Sequence, residues 1–117
     1  MTKRPLPVTA ISCLLILAGA IGFAYHATEF RSLRPFPYGL AAIEVIRILA
    51  IVFGASMLRG SNWARWGAIG WIAFHVIVSA LHSWQEFAMH AAITALFAIA
   101  LFRADANAYF EDPSQKT

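Results

Sequence analysis

The chain has 117 residues, of which 60% are hydrophobic and 13% are charged, whereas an ordinary soluble domain is about half apolar and about a quarter charged. A soluble domain of this size would leave much of that apolar surface in water, so the composition indicates an integral membrane protein. The net charge of +3 does not indicate nucleic-acid binding, because Lys and Arg flank apolar segments and do not cluster with aromatic residues on a soluble face.

Four apolar segments predict four transmembrane helices, at residues 8–27, 38–58, 63–81 and 84–104. Each is close to the roughly 20 residues that a helix needs to cross the hydrocarbon core, and backbone groups in lipid must bond within their own segment. The first segment has the basic start of a secretory signal, but its apolar run is long for that role, and we expect an uncleaved helix. The predicted fold class is all-α, an antiparallel up-down bundle with short loops. A polar tail at residues 105–117 is expected to begin as a frayed helix end and to continue as disorder.

The connections between these helices carry residues that break or cap a helix. Pro35 and Pro37 prevent one continuous helix across residues 28–37. A helix running unbroken from residue 64 to residue 104 would be about 60 Å long at about 1.5 Å per residue, which is too long for one crossing. Ser83, followed three residues later by Glu86, matches the capping-box pattern. A turn is therefore predicted at residues 82–84.

The connection between the second and third helices reads RGSNWARW, at residues 59–66. Gly60 suits a helix C-cap, and Ser61 or Asn62 suits the N-cap that follows. This hairpin resembles that of small, uncharacterised bacterial four-helix membrane proteins, which often carry Trp-Ala-Arg after a Gly-containing turn. The likeness covers the loop and the general layout. It implies a four-helix integral membrane architecture and does not imply an activity.

The distribution of Lys and Arg predicts the orientation in the membrane, since short cytoplasmic flanks carry the excess of positive charge. With the N-terminus inside, the flanking charges on the outer side are Arg31 and Arg34. Those on the inner side are Lys3, Arg4, Arg59, Arg65, Arg103 and Lys116. We therefore expect a protein of the bacterial inner membrane with both termini in the cytoplasm. Trp63, Trp66 and Trp84 are expected to anchor the helices at the membrane interfaces.

Ionisable residues within the predicted helices gather in the outer half of the membrane. Charged groups there are costly, and they usually face the bundle interior, pair with one another or line a functional cavity. We predict a buried polar cluster of Glu44, Arg47, His75 and His90. The spacing of Glu44 and Arg47 also allows an ion pair within one helix that only fixes helix register. A lone histidine such as His75 is more often a hydrogen-bonded core residue than a ligand.

A metal or haem site is a second interpretation of the outer half, because imidazole and carboxylate groups bind several transition metals. The candidate ligands are His26, His75, His82, Glu86 and His90. His75 is expected about one turn deeper than His90, which argues against a haem held by these two histidines. Cys13 is the single cysteine of the chain, so a cysteine-based zinc site is excluded.

Together these features favour a non-enzymatic structural or accessory membrane subunit that contacts the lipid bilayer and belongs to a homo-oligomer or a larger membrane complex. Metal or haem binding is the first alternative. A proton or small-solute pathway through Glu44, Arg47 and His75 is the second. Catalysis is not favoured, because Asp105 and Asp112 lie on the opposite side from the histidines and no Gly-rich phosphate loop is present.

Overall fold

A computed structural model of the chain describes residues 3–30 and 38–115, and the regular structure in those ranges is helical. The helices are α1 (Leu6–Phe30), α2 (Tyr38–Leu58), α3 (Asn62–Ala80), α4 (Trp84–Leu101) and α5 (Ala104–Glu111), followed by a 3-10 turn at Pro113–Gln115. The predicted all-α class is confirmed. Residues 31–37, which include the expected outer charges Arg31 and Arg34, lie outside the described residues, as does Lys116.

Three of the described helices are long and apolar enough to cross a membrane, namely Leu6–Thr28, Tyr38–Leu58 and Trp84–Leu101. This number differs from the predicted four, because α3 does not belong to this group. The helix begins with Asn62, includes Arg65 and His75, and carries three tryptophans, and these residues lower its mean hydropathy. The structure is thus compatible with a membrane protein, and a fourth crossing by α3 is not confirmed.

The helices pack as two neighbouring pairs. Helix α1 lies against α2, α3 lies against α4, and the two pairs meet mainly through α2 and α3. The Cα atoms extend over 50 × 33 × 18 Å, so the arrangement is flattened. Large apolar side chains are exposed on the outward faces of these helices, among them Leu14, Leu17 and Ile21 on α1 and Leu96 and Ile99 on α4. Such a surface suits lipid better than water.

The contact between α1 and α2 depends on glycine at two positions. A Cβ atom added to Gly19 would lie 2.6 Å from the backbone oxygen of Arg47. One added to Gly54 would lie 2.6 Å from the backbone oxygen of Ser12. Since real Cβ atoms do not approach other atoms so closely, only glycine lets the two backbones pack at this distance, as small residues do between membrane helices.

The hairpin between α2 and α3 ends α2 in the manner predicted for Gly60. This glycine has a φ of 81°, and its N–H donates to the Met57 carbonyl at 3.0 Å while the Ser61 N–H donates to the Ser56 carbonyl at 3.1 Å. These two bonds form a Schellman motif, which satisfies carbonyls left open at a helix end. Ser61 precedes α3 in an extended conformation, and its side chain makes no capping hydrogen bond.

The predicted break between the third and fourth helices is present, and Ser83 caps α4. Its Oγ accepts a hydrogen bond from the Glu86 N–H at 3.1 Å. The reciprocal half of the capping box is not formed, because the Ser83 N–H donates to the Ser79 carbonyl at 3.0 Å and leaves no donor for the Glu86 carboxylate. One half of the box is therefore enough to start the helix here.

The C-terminal segment differs from the expected frayed end. Residues 104–111 form α5, which buries Ala106, Tyr109 and Phe110. These residues are spaced three and four apart, so they share one helix face. The Tyr109 hydroxyl lies 3.1 Å from the Met57 carbonyl and 2.8 Å from that of Leu58. An amphipathic helix thus covers the ends of α2, α3 and α4 that are predicted to be the inner ones, where it gains apolar burial that a frayed segment would not have.

Candidate functional site

A cavity of about 220 Å³ lies in the predicted outer half, between α1, α2 and α3. Its polar lining is provided by His26, Arg47 and His75. Its apolar lining includes Ile43, Ile46 and Phe74. Two members of the predicted polar cluster, Arg47 and His75, therefore face one common space although they belong to different helices.

Arg47 reaches this cavity by lying across Gly22 of α1. A Cβ atom added to Gly22 would be 2.7 Å from Arg47 Nε and 2.8 Å from its Cδ, so the absence of a side chain on α1 makes room for the arginine. Among the described residues, the buried Nε of Arg47 has no hydrogen-bond partner. The guanidinium also takes part in none of the ion pairs that these residues form.

Glu44 is buried, with 9% of its surface exposed. In the described part of the chain its Oε1 has no hydrogen-bond partner. The ion pair with Arg47 that the sequence spacing allows is not among the ion pairs formed by the described residues. The arginine side chain extends toward Gly22 on the neighbouring helix, and this direction explains why a pair along α2 is not made.

His75 and His90 lie close together across the α3–α4 contact. Their ring centroids are 6.1 Å apart and their planes differ by 24°, although the sequence placed His75 about a turn deeper. His75 Nδ1 lies 2.8 Å from the Trp71 carbonyl, which can only accept, so Nδ1 carries the hydrogen. The indole of Trp71 lies beside the His75 ring at a centroid distance of 4.1 Å. The Nε2 atom of His75 is thus the one left for other partners.

His90 is held by two groups at the same ring nitrogen. Its Nδ1 lies 2.8 Å from the Glu86 carbonyl and 2.8 Å from the Ser79 hydroxyl. Ser79 is 5% exposed, and its hydrogen bond to His90 joins α3 to α4. This contact gives His90 a structural role within the α3–α4 pair.

The five candidate metal ligands do not come together as one set. Among the described residues, no group of three His, Cys, Asp or Glu side chains is close enough to hold a metal ion. His82 is exposed, and its Nδ1 lies 2.9 Å from the Val78 carbonyl. Glu86 is also exposed. His26 lines the outer cavity from α1, so the candidates are divided between the cavity, the α3–α4 contact and the surface.

The predicted inner end of the bundle holds a polar site that the sequence did not predict. Arg65, expected to be one of the flanking inner charges, is only 2% exposed. Its guanidinium donates to the Leu101 carbonyl at 3.1 Å, to Asn107 Oδ1 at 2.5 Å and to Asn62 Oδ1 at 2.6 Å. The Leu101 carbonyl belongs to the last turn of α4, so Arg65 satisfies an acceptor left open by the helix end.

Two aromatic rings enclose the same guanidinium. The Cζ atom of Arg65 lies 4.3 Å from the centroid of Phe102 and 5.0 Å from that of Phe110, within the range of cation–π contacts. Glu111 Oε1 lies 3.9 Å from Arg65 Nη2. The sequence signal for this site was the spacing of Ala106, Tyr109 and Phe110 in ADANAYFE, which indicates an amphipathic helix.

The three tryptophans predicted as interface anchors are exposed. Trp63 and Trp66 lie at the start of α3, and Trp84 begins α4. Trp66 also packs edge-on against Phe102, with ring centroids 4.8 Å apart. Their exposure at opposite ends of the helices suits an anchoring role, which stays a prediction.

Comparison of the chain with family models, with curated proteins and with solved structures found no match. The resemblance of the hairpin at residues 59–66 to that of small bacterial four-helix membrane proteins therefore stays a prediction.

Proposed function

We propose that this protein is an integral membrane protein whose four long helices cross the bacterial inner membrane with both termini in the cytoplasm, and that it acts as a structural or accessory subunit without catalytic activity. Three of these helices have the length and hydropathy of membrane spans. Helix α3 is the fourth, because it packs against both α2 and α4. An even number of crossings is also needed to keep both termini on the same side of the membrane.

The observation that carries the subunit role is an open apolar groove between α2 and α3. It has a volume of about 390 Å³ and is lined by apolar residues that include Leu49, Phe53, Gly67, Gly70 and Trp71. Among the described residues, nothing would lie within 4 Å of a Cβ atom added to Gly70. The backbone at this exposed glycine is therefore accessible to another helix.

Groove geometry matters in a membrane because lipid tails are as apolar as a helix surface. Helices associate there through close packing at small residues, and burial of apolar area alone supplies little driving force. The α1–α2 contact shows such packing at Gly19 and Gly54. Gly70 is a small residue whose neighbouring space is not filled by the described part of the chain.

A second copy of the chain supplies a helix that suits this groove. Helix α4 is the least buried of the three candidate spans, with 6% of its window buried. Its exposed face carries Ala88, Ala92 and Ala95, which would let a backbone approach closely. We therefore propose a homo-oligomer in which α4 of one copy packs between α2 and α3 of another.

The test is the oligomeric state of the purified protein in lipid nanodiscs, measured by native mass spectrometry. We expect the wild type to give multiples of the 12.9 kDa chain. Gly70→Leu would fill the groove without a clash inside the chain and would yield monomers. Gly39→Leu is the matched control, because a Cβ atom at Gly39 also meets none of the described residues within 4 Å and Gly39 does not line the groove. A monomeric wild type, or an oligomer unaffected by Gly70→Leu, would refute the proposal.

A further inference from the structure

Arg47 lines the outer cavity and forms no ion pair with the described residues. Arg47 is half-buried, its Nε has no partner among those residues, and it lies beside empty volume. A buried guanidinium without an acceptor is costly, whereas a charge-assisted hydrogen bond to an anion is among the strongest available. The cavity therefore favours a negatively charged occupant.

The rest of the lining limits the chemistry of that occupant. Ile43, Ile46 and Phe74 make most of the wall apolar, which suits a hydrocarbon group. At about 220 Å³ the cavity is smaller than the roughly 300–1,000 Å³ of pockets for drug-sized molecules. A single arginine matches the single charge of a carboxylate and its planar pair of oxygens.

His75 contributes a further polar group to the lining of the same cavity. Its Nδ1 is held by the Trp71 carbonyl at 2.8 Å, so the remaining Nε2 is the nitrogen left for an occupant. Glu44 is buried on α2 but does not contribute to the cavity lining. The polar side chains that line the cavity are thus one cation, Arg47, and two imidazoles, His26 and His75.

We infer that this cavity binds the carboxylate of a small amphipathic molecule, with Arg47 as its ion-pairing partner and the apolar wall around its hydrocarbon group. At about 1.5 Å per residue, Arg47 lies about 14 Å along α2 from Tyr38. If α2 spans the membrane as proposed above, the site is deeper than the lipid headgroups. The inference does not require the oligomer.

Such a carboxylate has two sources, a water-soluble acid or a fatty acid from the membrane. The test uses the full-length protein in a neutral detergent and isothermal titration with benzoate, with decanoate and with benzamide, which has the same size as benzoate and no charge. We expect at least one carboxylate to bind with one site per chain and benzamide not to bind. Binding of benzoate identifies the soluble source, and binding of decanoate alone identifies the lipid source.

Three variants separate the site from other effects. Arg47→Gln should weaken binding about 10- to 100-fold, the loss expected for one charge-assisted hydrogen bond. Arg59→Gln makes the same change at an exposed arginine at the other end of α2 and should leave binding unchanged. Val78→Phe adds bulk to a residue that lines the cavity and should weaken binding while Arg47 is kept. Far-UV circular dichroism checks that each variant is folded.

The inference is overturned if neither carboxylate binds the wild type. It is also overturned if folded Arg47→Gln binds as tightly as the wild type, since that result would show partitioning into detergent or apolar surface. Binding of benzamide equal to that of benzoate would overturn it too. None of these outcomes depends on whether the protein is monomeric, so they are distinct from the test of the groove.

Discussion

Replacing Arg65 with Met should cost this protein more stability than any surface arginine does. The change removes the hydrogen bonds to Leu101, Asn107 and Asn62, each worth about 1 kcal/mol net. It also removes the contacts with two aromatic rings, worth about 0.5–1 kcal/mol. The Glu111 carboxylate adds little, because its side chain is 66% exposed. We therefore expect Arg65→Met to lower the free energy of unfolding by about 3–4 kcal/mol.

The assay is reversible unfolding of the protein from mixed micelles by increasing sodium dodecyl sulfate, followed by far-UV circular dichroism. Arg103→Met is the matched control, because Arg103 forms an ion pair with Asp105 at 3.6 Å while the two side chains are 55% and 50% exposed. Such a pair contributes at most about 1 kcal/mol. If Arg65→Met and Arg103→Met destabilise the protein equally, the inner polar site does not hold the bundle together as argued.

Two further predictions concern the membrane crossing and the helix contact. In a background of Cys13→Ser, a membrane-impermeant maleimide added outside intact cells should label Gln85→Cys in the first turn of α4 and should not label Ser61→Cys in the α2–α3 hairpin. Equal labelling of both would mean that α3 does not cross. Gly19→Ala should lower the free energy of unfolding by about 1–3 kcal/mol, because the added methyl group pushes α1 away from the backbone of α2. Gly39→Ala is the control and should not lower it in the same assay, because no described residue lies within 4 Å of the added Cβ atom.

The positions of the long helices could be predicted because apolar length and helix-breaking residues act locally. Gly60 adopts the positive φ that glycine tolerates, and Ser83 supplies an acceptor to the first turn of α4. Both effects depend on residues within one turn of the chain. The residue that ends or starts each helix and the helix end itself therefore lie within the same few residues of the sequence.

The C-terminal helix could not be predicted in the same way, because its stability is not local. A helix as short as α5 is marginal by itself in water. It forms because Tyr109 and Phe110 are buried against the inner ends of the other helices. The polar residues Asp105, Asn107 and Glu111 on the rest of this helix dominated the sequence pattern, and only the spacing of the buried residues indicated that a partner surface was needed.

Contacts between helices that are distant in the chain also give two arginines within apolar helices opposite surroundings. Arg65 faces the end of α4 and two phenylalanine rings, so this chain supplies nearly every contact that its charge needs. Arg47 faces Gly22 and a cavity, and it forms no ion pair with the described residues. The sequence gives both residues the same charge and a similar apolar context. What separates them is the surface of the opposing helix, which depends on helix rotation and crossing, and for this reason a binding role is assigned to Arg47 and a structural one to Arg65.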